Sequence, residues 1–351
     1  MQNLDIYISR CLSAFGLFLL LSCANIWLNP IENTVLVLGY RLFILLTPFL
    51  FLFFRQKITF VAFFVLEIGL FLWLFDYTML GVIMFAVGIS ISGYMLKYYS
   101  SSTAAGSAHN KIALNLGSFL SGLFIIFSQN KTMLLTICFV VIFVSAVLFF
   151  KYYNREKIKN LVPHHLHFSF VTIFTKNGLI WGLVGLIIGI KLIAMVAILP
   201  QLLMKKNNGI LPNWFGIMLM INSLFVVFFQ KNIMKKVQHL GVKKAMIPSL
   251  CGMILIAVAG FISIENFIIA SIWIVLLSII ECTMSYLDKL SQDDNSLLIK
   301  EAMVGIGSAL TVYLIRFFDP QTGSLITGMI GVVICIVVFM LKNNIDYYKL
   351  K

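Results

Sequence analysis

The sequence predicts an all-α polytopic membrane protein with twelve spanning helices in a six-plus-six layout. Three observations carry that expectation. Apolar residues make up 61% of the 351 residues and charged residues 11%, against about half and about a quarter in a soluble domain. The mean hydropathy is +1.01; a soluble core cannot hide so much apolar surface, whereas a bilayer accepts it in helices of about 20 residues. Lastly, the connections between apolar runs alternate in Lys/Arg content.

The runs cover residues 11–28, 34–54, 58–75, 77–96, 109–128, 132–150, 178–203, 213–230, 245–263, 266–287, 300–318 and 323–341. The first ends at Trp27 and contains Leu20-Leu21-Ser22-Cys23, which resembles a lipoprotein cleavage site. An uncut first helix is the favoured reading, because its loss would spoil the charge alternation downstream. The second holds Arg41, and Arg55 and Lys57 separate it from the third, which holds Glu67 and ends near Trp73. The fourth stops before Lys97, the fifth opens in a polar stretch, and the sixth stops at Lys151. The seventh contains Lys191 and Pro200, the eighth opens at Trp214, and the ninth follows Lys243 and Lys244. The tenth carries Glu281, the eleventh opens at Lys300 and Glu301 and reaches Arg316, and the twelfth ends before Lys342. Trp27, Trp73, Trp181 and Trp214 fall at predicted membrane interfaces, where indole rings concentrate; Trp273 falls inside its span.

With the N-terminus in the cytoplasm, the even-numbered loops and both tails hold 20 of the 26 Lys/Arg residues and the odd-numbered loops hold 3. Arg10, Lys97 and Lys111 are counted with the tail and loops. The remaining three, Arg41, Lys191 and Arg316, fall inside spans. This bias predicts a bacterial inner-membrane protein with both termini cytoplasmic. The net charge of +13 is therefore a topology signal, and no nucleic-acid partner is expected. The polar connection 151–177 divides the chain into a first bundle, 1–150, and a second, 178–351. His164, His165 and His167 lie in it at spacings that suit an exposed tract better than a metal site. The six cysteines, none in CxxC spacing, read as small packing residues. No metal and no cofactor are expected.

Two six-helix halves joined by a basic connection resemble the major facilitator superfamily over essentially the whole chain. Leu199-Pro200 in the seventh span and Phe215-Gly216 opening the eighth are similar to family positions. The stretch Lys235-Lys236 to Gly241 and Lys243-Lys244 is similar to the family's basic loop between spans eight and nine, without its Asp. The loop Phe54-Arg55-Gln56-Lys57 lacks the corresponding Gly and Asp. Asn115, Gly117, Ser118, Ser121 and Gly122 resemble the glycine-rich fifth helix, without the Pro of the antiporter signature. The resemblance implies two pseudo-symmetric six-helix bundles around a central cavity lined by spans one, four, seven and ten. Access would alternate by rocking of the bundles.

A charge near the bilayer centre costs at least about 2.5–3.5 kcal/mol, so such residues face a cavity or a partner. Lys191, midway along the seventh span, is the leading candidate to bind an anionic group; a structural ion pair is the alternative. Arg41 has the planar fork that suits a carboxylate or phosphate, or it snorkels. Arg316 contacts the substrate or pairs locally with Asp319. Asn25 and Tyr94 are further substrate-binding candidates among buried polar residues that otherwise hold helices together at about 0.6–2 kcal/mol each. Glu281 is a candidate for proton coupling or gating, since burial favours the neutral carboxyl and a nearby lysine the charged one. Glu67 is a second, with a structural partner the favoured reading. Lys300 and Glu301 read as interfacial.

Three positive and two negative charges inside spans predict an anionic solute, either a carboxylate metabolite or a carboxylate siderophore. No phosphate-binding Gly-rich loop, Ser/His/Asp set or HExxH is present, so proton or ion coupling is expected, not ATP, and no enzyme activity. The expected partners are a small-molecule substrate and the lipid bilayer, with the chain a monomer. A multidrug or metabolite exporter and a non-transporting membrane protein of the same layout are the alternatives.

Overall fold

The computed structural model describes residues 4–100, 104–155, 175–237, 241–293 and 296–341. The connection at 156–174, with its three histidines, lies outside the described residues. Each predicted span is a helix, and no strand occurs among the described residues. The helices are α1, Leu4–Trp27; α2, Pro30–Phe54; α3, Ile58–Leu74; and α4, Thr78–Ser100. They continue with α5, Ala104–Phe127; α6, Lys131–Arg155; α7, Lys176–Lys206; and α8, Phe215–Val237. The last four are α9, Gly241–Val258; α10, Phe267–Asp293; α11, Leu297–Phe317; and α12, Pro320–Leu341.

Ten of these are long and apolar enough to cross a membrane; α3 and the Met246–Val258 stretch of α9 are shorter. The outward faces are apolar: Leu52 is 75% exposed and Phe127 77%, which only lipid accommodates over so wide a surface. The chain is a multi-pass membrane protein.

Local sequence sets the helix ends and breaks. Asn29 caps α2 reciprocally: its side chain accepts from the Glu32 amide at 2.9 Å, and Glu32 accepts from the Asn29 amide at 3.0 Å. Pro30 follows at the first helical position, where no amide is missed. Two prolines deform long helices from within, because each lacks an N–H and its ring meets the carbonyl four residues back. Ahead of Pro48, α2 tightens into a 3₁₀ turn at Phe43–Leu46. Ahead of Pro200, α7 widens into a π turn at Ala194–Ile198.

The helices gather into two bundles, α1–α6 and α7–α12, and the packing of the first repeats in the second. In the first, α1 packs on α5 and α6, α2 on α4, and α3 on α4 and α6. In the second, α7 packs on α11 and α12, α8 on α10, and α9 on α10 and α12. Two seams join the bundles, α5 against α8 and α2 against α11, and they exchange under the same relation. Glycine makes the α5–α8 seam close. A Cβ on Gly122 would stand 2.6 Å from the Gly216 carbonyl oxygen. A Cβ on Gly216 would meet the Gly122 carbonyl in turn, so neither position accepts a side chain without parting the helices.

Candidate functional site

Between the bundles, in the half nearer the two chain tails, lies a cavity of about 60 Å³. Seven helices contribute to it. Its charged lining is Arg10 of α1, Arg41 of α2, Lys97 of α4, Lys111 of α5, Lys191 of α7, Glu281 of α10 and Glu301 of α11. Five cations thus face two carboxylates. The volume holds a few waters and is far below the several hundred Å³ of a typical ligand site, so the bundles must part to admit a solute.

The carboxylates tie the bundles together. Glu301 receives Arg41 Nη1 at 2.5 Å and Lys97 Nζ at 2.9 Å, both from the first bundle, and Lys300 Nζ at 3.2 Å from its own helix. Its side chain is only 4% exposed. Three cations therefore converge on one buried carboxylate. Glu281 pairs with Lys111 across the same gap and receives a side-chain hydrogen bond from Asn222. Asn222 is itself held by the Ser278 hydroxyl at 2.7 Å.

Lys191 differs from the others. It is 6% exposed, yet it makes no ion pair among the described residues. The nearest acceptor its ammonium finds is Met284 Sδ at 3.4 Å, a weak one. Glu281, which the sequence offers as a partner for Lys191, is taken by Lys111.

At the opposite end Asn25 forms a clasp. Pro200 cannot donate to the Val196 carbonyl four residues before it, and Asn25 Nδ2 of α1 fills that vacancy at 2.8 Å. Asn25 Oδ1 accepts from Asn33 at 3.1 Å and Gln201 at 3.2 Å. Arg316 donates to the Asn25 carbonyl at 3.3 Å and to Oδ1 at 3.4 Å. One amide thereby links α1 and α2 to α7 and α11. Arg316 does not pair with Asp319, whose partner is Lys205 at 2.5 Å. That hydrogen bond holds the Asp319 carboxyl below the usual carboxylate range, so the pair stays charged at neutral pH.

Asn25→Leu is expected to leave the Val196 carbonyl, Asn33 and Gln201 without the Asn25 amide, while Arg316 keeps only the Asn25 backbone carbonyl, and to favour opening of this end. A cysteine placed on α7 beside Gln201 should then react with a membrane-impermeant thiol reagent several-fold faster than in the parent. Unchanged labelling would show that Asn25 does not hold the end shut.

Lys191, Arg41 and Glu281 line the cavity, whereas Asn25, Arg316, Tyr94 and Glu67 do not. Tyr94 is buried close to Glu301. Glu67 lies on the α3–α6 side of the first bundle near Cys138, and neither of its buried oxygens has a hydrogen-bond partner. Sequence reasoning missed Arg10, Lys97, Lys111 and Glu301 as site residues because they stand near helix ends and read as loop or interfacial charges. The helices run past the predicted ends, which brings these residues inside. A readable signal existed in α4, where Ser90, Tyr94 and Lys97 recur at helical spacing and mark one polar stripe.

No family model matches the sequence, and no curated protein matches it. Solved structures do. The nucleoside transporter NupG superposes with a TM-score of 0.73 at 12% identity, covering 97% of this chain and 98% of that one. The POT family transporter PepTSo gives 0.69 at 12% identity over 97% of each chain. A POT family transporter in complex with 5-aminolevulinic acid gives 0.64 at 12% identity, over 96% of this chain and 94% of that one. Likeness over nearly the full length of both chains shows that this chain shares their fold, the two-bundle arrangement of twelve helices that the resemblance implied.

Proposed function

We propose that this chain is a secondary transporter that carries a small organic anion across a bacterial inner membrane by alternating access. The carrying observation is the inter-bundle cavity with five cationic and two acidic side chains, one of the cations, Lys191, making no ion pair among the described residues. An empty basic cavity resists closure, because like charges repel strongly where water is scarce. A carboxylate seated against Lys191 lowers that repulsion and competes with Glu281 and Glu301 for their cations. The anion thus supplies the differential interaction that shifts the equilibrium between open and closed forms. Between the two solute classes suggested by sequence, the small cavity favours a carboxylate metabolite over a ferric siderophore. Glu281, exchanging between Lys111 and a proton as the solute enters or leaves, is the proposed coupling group. The loop charge bias supports a cytoplasmic position for both tails.

The test is thermal unfolding of the detergent-purified protein against short carboxylates, lipophilic cations and ferric chelates. A ligand at about 100 times its Kd stabilises the folded state by about 2.7 kcal/mol. Carboxylates should raise the unfolding temperature and then exchange in proteoliposome counterflow. Stabilisation by lipophilic cations alone would overturn the reading.

A further inference from the structure

Beside the basic cavity, a smaller recess enters the first bundle. Arg10 and Arg41 border both spaces. Deeper in, the recess is lined by Ser13 of α1, Tyr40 of α2 and Ser90 of α4. These are 0%, 2% and 2% exposed, and none of the three hydroxyl oxygens has a hydrogen-bond partner among the described residues.

Other buried hydroxyls among the described residues also lack partners, Ser22, Ser118 and Ser223 among them; what sets these three apart is that they converge on one recess. A serine in a membrane helix commonly turns its hydroxyl onto the carbonyl four residues back, as Ser92 does onto Gly88 at 2.7 Å. Ser13 and Ser90 do not. Buried polar groups left unmade are rare and call for a bound group. Here three of them, from three helices, line one recess next to the site that holds the anion.

The recess favours a neutral group over a second carboxylate. At its mouth Arg10 is engaged by Asn110 at 3.1 Å and the Gly93 carbonyl at 3.3 Å, and Arg41 Nη1 by Glu301, while Arg41 Nε is buried without a hydrogen-bond partner among the described residues. Deeper in, the polar groups are hydroxyls, each able to donate and to accept. The free volume is about 10 Å³, the space of about one water, and so of one hydroxyl oxygen.

We propose that this recess is a specificity subsite for a hydroxyl group of the transported anion, which makes the solute a hydroxycarboxylate. The inference rests on the reading of the basic cavity as an anion site. A solute hydroxyl satisfies the three protein hydroxyls, whereas an unhydroxylated carboxylate of the same length leaves them unmade. Sites built on buried hydrogen bonds discriminate strongly against ligands that lack the matching group.

Calorimetric titration of the full-length protein with matched pairs tests this: glycerate against propionate, and gluconate against hexanoate. In the parent, the hydroxylated member of at least one pair should bind about tenfold or more tightly, as one buried hydrogen bond implies. The combined variant Ser13→Ala, Tyr40→Phe, Ser90→Ala should bring both members of that pair to the same affinity. Its ligand-free unfolding temperature should hold or rise, because the deleted hydroxyls have no partners to lose. Equal affinities within each pair in the parent would overturn the subsite and leave the anion reading standing, with a resident water as the recess's occupant. So would a preference that survives in the combined variant. Failure of every carboxylate to bind would overturn the anion reading and the subsite with it.

Discussion

Glu301→Gln is expected to produce the largest loss of stability of any single charge change in the chain. The substitution keeps the shape of the side chain and removes the one negative charge that Arg41, Lys97 and Lys300 share. Breaking a buried ion pair from one side costs about 3–5 kcal/mol, because the remaining charge is left buried without compensation. Here three cations lose the same partner at once. Two come from the first bundle and one from the second, so the same change also repels the bundles at the tail end. Thermal unfolding in detergent should show a large drop, and cysteines on facing parts of α4 and α11 should become accessible. The double variant Glu301→Gln, Lys97→Met should recover part of the loss, since it removes one of the cations that Glu301 balances along with the carboxylate. Coupling between the two sites is the quantity that isolates their interaction. An unfolding temperature unchanged from the parent in Glu301→Gln would show that the carboxylate does not tie the bundles.

Lys191→Met should have the opposite stability signature and the larger effect on binding. The ammonium is buried, donates to a thioether and makes no ion pair among the described residues. A charge in that position costs desolvation without the return of an ion pair. Methionine matches its length and removes the charge, so the ligand-free protein should be as stable as the parent or more so. A charge-assisted hydrogen bond contributes about 1.5–3 kcal/mol, so anion affinity should fall by roughly 10- to 100-fold, and counterflow with it. Lys191→Arg, which keeps the charge, should retain part of the affinity. A marked drop in stability with anion binding intact would make Lys191 a structural residue and remove the central support for an anion site.

Local sequence exposed the frame but not the contacts of the site. Lys191 stood out because a lysine between Gly189-Ile190 and Leu192 in a long apolar run has no interfacial excuse. Arg41 stood out for the same reason. Glu301 did not, because a Lys-Glu pair at the start of an apolar run is what a membrane boundary looks like. Lys97 and Lys111 were hidden likewise, one turn and two turns inside the ends of α4 and α5. Asn25 was legible as a buried polar side chain, but its task was not. That task follows from Pro200, the residue before Gln201, which lies 176 residues from Asn25; the missing Pro200 N–H frees the carbonyl that Asn25 takes up.

The sequence by itself determined the number of helices, their order and the six-plus-six layout. In lipid each helix must satisfy its own backbone hydrogen bonds, so spans are decided by composition over about 20 consecutive residues and need no partner to be recognised. The tertiary structure alone decided which charges meet. Arg41 and Glu301 are 260 residues apart, and their pairing depends on the rotation of α2 and α11 about their axes and on the seam that brings the bundles together. Hydropathy carries no information about either, because a helix inserts equally well at any rotation. The cavity, the clasp and the hydroxyl-lined recess all arise from that packing.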